Sequence, residues 1–274
     1  VTRFQGPANM PHTLAIHGAA GRMGKRLIAL ASQDQDFKIV SALDNFSNPA
    51  IGQDAGVLAG VEALGVMLSA AWPEKCDVAI DFSIPAACTA AVRQCREQRI
   101  PLVVATTGLS DAQTAEIKDA SEDIPLCWAP SMSLAVNVTM KLAQQAAQAL
   151  KHVPQGVDVE IIERHHRFKE DSPSGTALKF GEIIAQEMGL TEHVHGREGQ
   201  CGQRTRNEIG YHAVRTGDNP GEHTIVFGML GEFIELHVAA SNRDCYASGA
   251  LAAAKFLLGK PPGLYNMFDV LGLS

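Results

Sequence analysis

The 274-residue sequence has no excess of basic residues and no long apolar run. Its 23 lysines and arginines stand against 30 aspartates and glutamates, which gives a formal net charge of −7. A general nucleic-acid binder is therefore excluded, because such proteins need surplus cationic side chains to neutralise phosphates. No run approaches the roughly 18 apolar residues that a membrane-spanning helix requires, so we expect no membrane association.

Disulfide and metal motifs are also missing. The six cysteines are scattered and none forms a C-x-x-C pair, so those in apolar elements are expected to be free, buried thiols. Val1–His12 is predicted to be irregular and contains no signal-like apolar core, which together with the unpaired cysteines predicts a cytoplasmic protein. His193 and His195 have no cysteine or third histidine at ligand spacing, so we predict solvated loop residues and no metal.

A glycine-rich turn near the N-terminus is the first positive signal. Gly18–Gly24 lacks the G-K-[ST] ending of a nucleotide-hydrolysing P-loop, and no G-x-S-x-G nucleophile elbow occurs in the chain. The turn follows the strand pattern His12–His17 and precedes the helical pattern Lys25–Ser32. This order lets the glycines turn tightly and places a pyrophosphate at the helix N-terminus.

An acidic residue lies at the matching distance from this turn. The strand pattern Lys38–Leu43 ends in Asp44, twenty residues after the last glycine of the turn. At that distance a carboxylate accepts hydrogen bonds from a ribose hydroxyl in dinucleotide-binding proteins. The glycine spacing, G-x-x-G-x-x-G, departs from the standard motif, and a glycine-rich turn without a ligand is the alternative. The context favours a dinucleotide site.

Strand and helix patterns alternate through the rest of the first half. Further strands are predicted at Val78–Phe82, Ile100–Ala105 and Ile124–Trp128, with helices from Pro85 to Gln98 and after the capping-box residue Ser110. Near-continuous apolar strands between helices predict a parallel sheet covered on both faces. Ligands of such sheets bind beyond the carboxyl ends of the strands. The turns at 18–24, 82–83, 106–108 and 129–133 are therefore expected to converge on one cleft.

The second half has a different pattern. Helices are predicted at 137–150 and 177–188, and a strand at 157–164. Three strand-like runs at 208–214, 223–227 and 233–239, separated by short polar turns, predict a mixed or antiparallel sheet. Their histidines are expected to pack across strands. The polar segment 191–206 is predicted to be a long loop, and the apolar helix 248–258 is expected to return to the first domain.

The segment with the most reactive groups is Glu163–Thr176. It contains the adjacent imidazoles of His165 and His166 and the ammonium of Lys169, and a Ser-Gly-Thr turn ends it directly before a helical pattern. A helix N-terminus presents unpaired N–H groups to an anion, and histidines donate protons near neutral pH. A carboxylate-bearing substrate that must be protonated would suit both. Surface histidines beside an ordinary N-cap are the alternative.

Together these residues resemble the 4-hydroxy-tetrahydrodipicolinate reductase family, also called dihydrodipicolinate reductase. The resemblance covers about 13–271, and its most specific part is Glu160–Ala177, which reads EIIERHHRFKEDSPSGTA. It implies an oxidoreductase of diaminopimelate and L-lysine biosynthesis that reduces 4-hydroxy-tetrahydrodipicolinate to tetrahydrodipicolinate with NAD(P)H and loss of water.

The resemblance also implies a fold and an assembly. The expected fold is α/β, with a Rossmann-like parallel sheet domain formed by residues 1–132 and 242–274. An α+β domain at 133–241 is inserted into it, binds the substrate and builds a homotetramer.

The site residues follow from the same resemblance. His165 is the proton donor, Lys169 acts with it as a catalytic residue, and His166 contacts the substrate. Substrate binding is completed by the turn Ser174, Gly175 and Thr176, whose Gly-Thr pair holds a carboxylate. The implied cofactor contacts are Gly18, Ala19, Ala20, Gly21, Arg22, Met23, Asp44, Asn45, Ala105, Thr106, Thr107, Ala129, Pro130, Ser131 and Met132.

Two positions depart from the family pattern. Asn45 stands where many relatives carry an arginine that pairs with the phosphate of NADPH, and Asp44 would repel a 2′-phosphate. We therefore predict NADH as the preferred cofactor, with NADPH still usable through Arg22 or Lys25. The usual Gly-Thr-Thr-Gly turn begins here with Ala105, whose methyl group is expected to fit while shifting the nicotinamide pocket slightly.

Two other functions remain open at this point. One is a different nicotinamide oxidoreductase on the same plan, although Cys127 lies inside an apolar strand and offers no nucleophile for a semialdehyde dehydrogenase. The other is a dinucleotide sensor without catalytic activity. A sensor would not need the constellation of His165, His166 and Lys169.

Overall fold

The computed structural model describes residues 10–273, so the prediction for the N-terminal segment lies outside the described residues up to position 9. In chain order, the described residues form β1 (His12–His17), α1 (Arg22–Ala31), β2 (Phe37–Leu43), α2 (Ala55–Ala59), β3 (Leu68–Ser69), β4 (Val78–Asp81), α3 (Pro85–Gln98), β5 (Leu102–Val104), α4 (Asp111–Ala120), β6 (Pro125–Trp128), α5 (Leu134–Leu150), β7 (Asp158–His165), α6 (Gly175–Met188), β8 (Glu192–His195), β9 (Glu208–Arg215), β10 (Glu222–Met229), β11 (Glu232–Ala239), α7 (Asp244–Leu257), β12 (Gly263–Tyr265) and α8 (Met267–Leu271).

These elements divide into two compact units. The first unit comprises the described residues up to Ser133 together with Tyr246–Val270, and the second comprises Leu134–Cys245 with the residues after Val270. Within residues 10–273, no helix is both long enough and apolar enough to cross a membrane.

The first unit is built on a seven-stranded sheet in the order β12-β6-β5-β4-β1-β2-β3, with every neighbouring pair parallel. The predicted parallel sheet is confirmed. Its central strands are buried on both faces: Leu14, Ala15 and Ile16 of β1 are fully buried. The strand order reverses around β1, which has β2 on one side and β4 on the other. In open parallel sheets the carboxyl ends at such a reversal form the ligand crevice.

The second unit contains a five-stranded mixed sheet in the order β11-β10-β7-β9-β8. Strand β10 runs antiparallel to β11 and β7, while β7, β9 and β8 are parallel to one another. Helix α6 packs against β7 and β9, and α5 packs against β11 and α6. Along β7, Val159, Ile161, Glu163 and His165 are buried, whereas Ile162 and Arg164 on the other face are exposed. The sheet therefore has a covered inner face and an outer face.

The loop prediction for 191–206 was wrong in part. Glu192–His195 forms β8, a four-residue edge strand paired in parallel with β9. His193 and His195 therefore lie on a strand, and both rings stack on Tyr211, with centroids 5.7 and 5.2 Å apart. Alternation over four polar-rich residues is too short to distinguish a strand from a loop.

Candidate active site

The backbone of the glycine-rich turn after β1 packs tightly against itself, against the end of β2 and against the residue that follows β4. Gly18 has φ +77°, and a Cβ there would lie 2.5 Å from the Phe82 carbonyl oxygen. A Cβ on Gly24 would collide with the carbonyl oxygen of Gly18. The N–H groups of Gly18 and Ala19 both donate to Leu43 O at 2.9 Å, which ties the turn to the end of β2. The glycines thus perform the close-approach roles that a dinucleotide turn requires.

Helix α1 begins at this turn without a side-chain cap. Its N-cap is Gly21, which has no side chain and makes no side-chain cap hydrogen bond. Such a terminus presents unpaired donors and the positive end of the helix dipole. The residues therefore fit a nicotinamide dinucleotide, whose pyrophosphate would accept from these donors.

Asp44 lies directly against the same turn. Its Oδ2 accepts from the backbone N–H of Ala20 at 3.0 Å, and its Oδ1 accepts from Asn45 N at 2.9 Å and Asn48 Nδ2 at 3.0 Å. The structure thus brings the predicted ribose acid and the predicted pyrophosphate turn together. Asn45 is exposed beside it, and its Oδ1 accepts from the backbone and hydroxyl of Ser47.

The other predicted cofactor residues lie at the same edge of the sheet. Thr107 and Pro130 are exposed, whereas Ala105, Thr106, Ala129, Ser131 and Met132 are buried. The predicted groups follow the carboxyl ends of parallel strands: Gly18–Met23 after β1, Asp44 and Asn45 after β2, Ala105–Thr107 after β5, and Ala129–Met132 after β6. Their contacts with a cofactor stay predictions.

A buried carboxylate in this unit was missed by sequence reasoning. Asp81 ends β4, is fully buried, and accepts from Ser83 Oγ and Thr106 Oγ1, each at 2.6 Å. His17 Nδ1 lies 2.6 Å from Asp81 Oδ1. Burial acts to raise the pKa of Asp81, but the hydrogen bond and charge of His17 and the two hydroxyls outweigh it and hold the pKa below its ordinary value. The sequence signal that could have revealed this cluster is that the strands β1 and β4 end in polar residues, His17 and Asp81.

The second unit places His165 beside a buried carboxylate. His165 and Glu163 both point to the inner face of β7, and His165 Nδ1 lies 2.6 Å from Glu163 Oε2. Two other elements hold the same carboxylate. Arg215 on β9 donates from both terminal nitrogens at 2.8 Å, one to each oxygen, and Ser174 N donates to Oε1 at 3.0 Å. Neither Glu163 nor Arg215 was singled out by sequence reasoning.

The charges of this cluster act on His165 in opposite directions. Burial lowers the pKa of His165, the hydrogen bond and charge of Glu163 raise it, and Lys169 and Arg215 lower it, with a net lowering. Burial acts to raise the pKa of Glu163, but Arg215 and His165 outweigh it and hold that pKa below its ordinary value. The carboxyl is therefore ionised near pH 7. An ionised carboxylate only accepts hydrogen bonds, so His165 Nδ1 carries the proton that joins the two.

Lys169 and Asp171 form an ion pair in the segment that links β7 to α6. Lys169 Nζ donates to both Asp171 oxygens at 2.7 and 2.8 Å. Arg215 also donates to the Asp171 carbonyl oxygen at 2.7 Å, which joins this segment to the His165 cluster. The structure therefore brings the two predicted catalytic residues into one charged network.

The predicted anion seat begins α6. Ser174 is the N-cap, its Oγ accepts from Ala177 N at 3.1 Å, and the residue is 2% exposed. Its hydroxyl also lies 3.0 Å from His223 Nε2. The Ser174 side chain therefore serves the helix start, whereas Gly175 is exposed and Thr176 half-buried. Substrate binding by this turn stays a prediction.

His166 and His223 have contrasting surroundings. His166 Nδ1 is buried and, among the described residues, has no hydrogen-bond partner, which is the state expected of a group that meets a ligand. Burial lowers the pKa of His223 to about 4, so this ring is neutral near pH 7. His223 meets the edge of the His165 ring at 5.3 Å.

Cross-strand contacts explain two other strand histidines. His212 Nε2 lies 2.7 Å from Glu160 Oε2, and His237 Nδ1 lies 3.0 Å from Thr224 Oγ1. The cross-strand prediction for these histidines is confirmed. Among the described residues, no group of three His, Cys, Asp or Glu side chains is arranged to hold a metal.

The three buried cysteines of the first unit offer no activated nucleophile. Cys88, Cys95 and Cys127 are buried free thiols. Burial raises the pKa of Cys127 to about 12, so its thiolate is not formed near pH 7. This argues against a semialdehyde dehydrogenase that uses Cys127.

The chain matches known reductases along nearly its whole length. The family models described as "Dihydrodipicolinate reductase, N-terminus" and "Dihydrodipicolinate reductase, C-terminus" match residues 12–132 and 135–271. The 4-hydroxy-tetrahydrodipicolinate reductase of Rhodopirellula baltica is 61% identical over 272 residues, which cover 96% of this chain and 97% of that protein. The reductase of Alkalilimnicola ehrlichii is 44% identical over 270 residues, covering 96% of this chain and all of that protein.

A solved structure shows the same fold. The dipicolinate-bound dihydrodipicolinate reductase from Paenisporosarcina sp. TG-14 superposes with a TM-score of 0.75 at 24% identity, covering 95% of this chain and 99% of that one. The two family models together match the chain from β1 to α8, so the chain belongs to the dihydrodipicolinate reductase family.

Proposed function

We propose that the chain catalyses the reaction for which its relatives are named, the NAD(P)H-dependent reduction of 4-hydroxy-tetrahydrodipicolinate in lysine and diaminopimelate biosynthesis. The observation that carries the assignment of roles is the pairing of His165 Nδ1 with the buried carboxylate of Glu163. That pairing leaves Nε2 as the nitrogen that exchanges a proton with the substrate.

The reaction needs one hydride and one proton, and it releases one water. Loss of water takes the hydroxyl from C4 of the substrate ring and one proton from the neighbouring carbon, which leaves a double bond between the two carbons. A bound reduced nicotinamide would supply the hydride that adds to C4. His165 delivers the proton to the neighbouring carbon from Nε2. Lys169, which is paired with Asp171, offsets negative charge that develops on the substrate.

A small dicarboxylate suits the groups around His165. The Paenisporosarcina relative binds dipicolinate, a planar ring with two carboxylates. In this chain, Gly175 and Thr176 are the first residues of α6, and a helix N-terminus supports binding of one carboxylate. The unpartnered Nδ1 of His166 supports its predicted substrate contact.

Exchanging the proton donor tests this assignment. For His165→Gln we expect kcat to fall by about 10²–10⁴-fold, the usual contribution of a general acid, while NADH affinity measured by fluorescence stays unchanged. His193→Gln, an exposed histidine of the same unit, serves as the matched control and should keep its kcat. An unaltered kcat in His165→Gln would remove His165 from the reaction.

Cofactor choice follows from the residues after β2. Asp44 is fixed against the glycine-rich turn, and the exposed neighbour Asn45 carries no charge to pair with a 2′-phosphate. NADH is therefore expected to give the higher kcat/KM, and Asn45→Arg to raise kcat/KM for NADPH relative to NADH. The measurement is steady-state kinetics with both reduced cofactors. A wild-type preference for NADPH of tenfold or more would contradict this.

A homotetramer built through the second unit completes the proposal. The outer face of its sheet carries apolar side chains that the described chain leaves uncovered: Phe233 is 68% exposed, Val214 41% and Ile162 36%. Uncovered apolar sheet faces of this kind are typical of subunit interfaces. The buried free thiols of the first unit support the expected cytoplasmic location.

A further inference from the structure

The Glu163 carboxylate joins three parts of the second unit that sequence order keeps apart. It accepts from His165 on its own strand, from Arg215 on β9, and from the backbone N–H of Ser174 at the start of α6. It is 1% exposed, so water does not compete for these bonds. A buried carboxylate with all its acceptor positions engaged holds its partners in fixed orientations.

We propose that Glu163 is a positioning residue for the proton donor: it commits His165 Nδ1 and leaves Nε2 as the proton-delivering nitrogen, and the same carboxylate anchors the turn of Ser174 that begins the anion seat. The proposal rests on the assignment of His165 as proton donor. It adds what sets the tautomer and the acidity of that imidazole.

The free side of the ring is kept clear by a glycine. Gly221 has φ +143°, and a Cβ there would lie 2.9 Å from His165 Nε2. No side chain of residue 221 therefore stands over this nitrogen. Glu163 thus holds the ring from the Nδ1 side, and a side chain at position 221 would crowd the Nε2 that a proton donor must present to its substrate.

Four titratable or charged groups face His165 from the surrounding elements. They are Glu163 on β7, Lys169 in the following segment, Arg215 on β9 and His223 on β10. His223 is neutral near pH 7, and Lys169 is paired with Asp171. Glu163 is thus the anion that favours the imidazolium, and Lys169 and Arg215 are the cations that moderate it.

This arrangement makes two substitutions act with opposite signs. Glu163→Gln removes the anion and leaves Arg215 uncompensated, so the pKa of His165 falls. Arg215→Gln leaves the anion less neutralised, so the pKa of His165 rises. An opposite charge at this distance shifts a pKa by about 1–3 units, so the midpoint at which kcat falls with rising pH should move down by at least about one unit in the first variant and up in the second.

The experiment measures two quantities in each variant. One is the pH profile of kcat, and the other is the titration of the His165 ring by NMR in the full chain without cofactor or substrate, with the signal identified by its loss in His165→Gln. The second readout does not depend on turnover. If the wild type shows no reductase activity, the proposed function fails, and if His165→Gln keeps full activity, the proton-donor role of His165 fails. If His165→Gln is inactive and the titration of His165 is unchanged by Glu163→Gln, only the positioning role fails.

Glu160→Gln is the matched control. Glu160 lies on the same strand, contacts His212 at 2.7 Å and is bound by Arg197 and Arg204, but it faces the other side of the sheet. Its substitution should leave the midpoint unchanged. Shifts of the same sign in Glu163→Gln and Arg215→Gln, or no shift in either, would overturn the proposal. Should Glu163→Gln fail to fold, Arg215→Gln decides: an upward shift supports the proposal, and an unchanged or lowered midpoint refutes it.

Discussion

At the scale of single residues, Asp81 shows how a buried charge is kept in the first unit. Its two oxygens face the hydroxyls of Ser83 and Thr106 and the ring of His17. An asparagine in its place has only one accepting oxygen and presents an amide N–H₂ to a site lined with donors. Leaving buried polar groups unpaired costs about 1–3 kcal/mol. For Asp81→Asn we therefore expect the free energy of unfolding to fall by that amount in urea titrations, and NADH to bind more weakly.

An exposed aspartate of the same unit provides the comparison. Asp119 pairs with Arg96 at the surface, where its side chain is 59% exposed, and such pairs contribute about 0–1 kcal/mol. Asp119→Asn should therefore leave both stability and NADH affinity close to wild type. Equal losses in the two variants would show that the Asp81 cluster has no special part in either property.

At the scale of elements, the sequence predicts structure well where a pattern is long or capped. The strand His12–His17 and the helix Pro85–Gln98 have the predicted bounds, and Ser110 and Gln113 form the predicted capping box of α4. Short elements escaped: α2, β3, β8, β12 and α8 have two to five residues each. Over such lengths hydrophobic periodicity does not repeat, and pairing with a neighbouring strand decides the conformation.

The candidate site was predictable only as far as its parts are close in sequence. His165, Lys169 and the turn before α6 lie within one motif, and the resemblance implied roles for them. Arg215 joins Glu163 across 52 positions, through the register that pairs His165 with Arg215 between β7 and β9. Register is set by the packing of whole strands, so the sequence near Glu163 does not reveal this partner.

At the scale of the whole molecule, the outer face of the second sheet is the surface on which the proposed tetramer depends. In the strand register, Asp158 of β7 is paired with Gly228 of β10, and Gly228 with Phe233 of β11, so these three positions share one face of the sheet. Ile162 lies four residues after Asp158 on β7 and therefore belongs to the same face. This face mixes the apolar side chains of Ile162, Val214 and Phe233 with ion pairs such as Arg197–Glu160. Apolar residues framed by paired charges suit a specific contact between copies better than indiscriminate association.

A charge placed on this face should therefore divide the assembly. We expect light scattering to give a mass of four subunits for the wild type and a smaller mass for Phe233→Glu and Ile162→Asp, because a carboxylate buried in an interface without a partner is strongly unfavourable. Val57→Glu is the control, since Val57 is 61% exposed on α2 in the first unit and lies outside this face. If Phe233→Glu and Ile162→Asp both keep the mass of four subunits, the assembly uses another surface. If the wild type is a monomer at micromolar concentration, the tetramer is refuted, because the apolar face then makes no subunit contact.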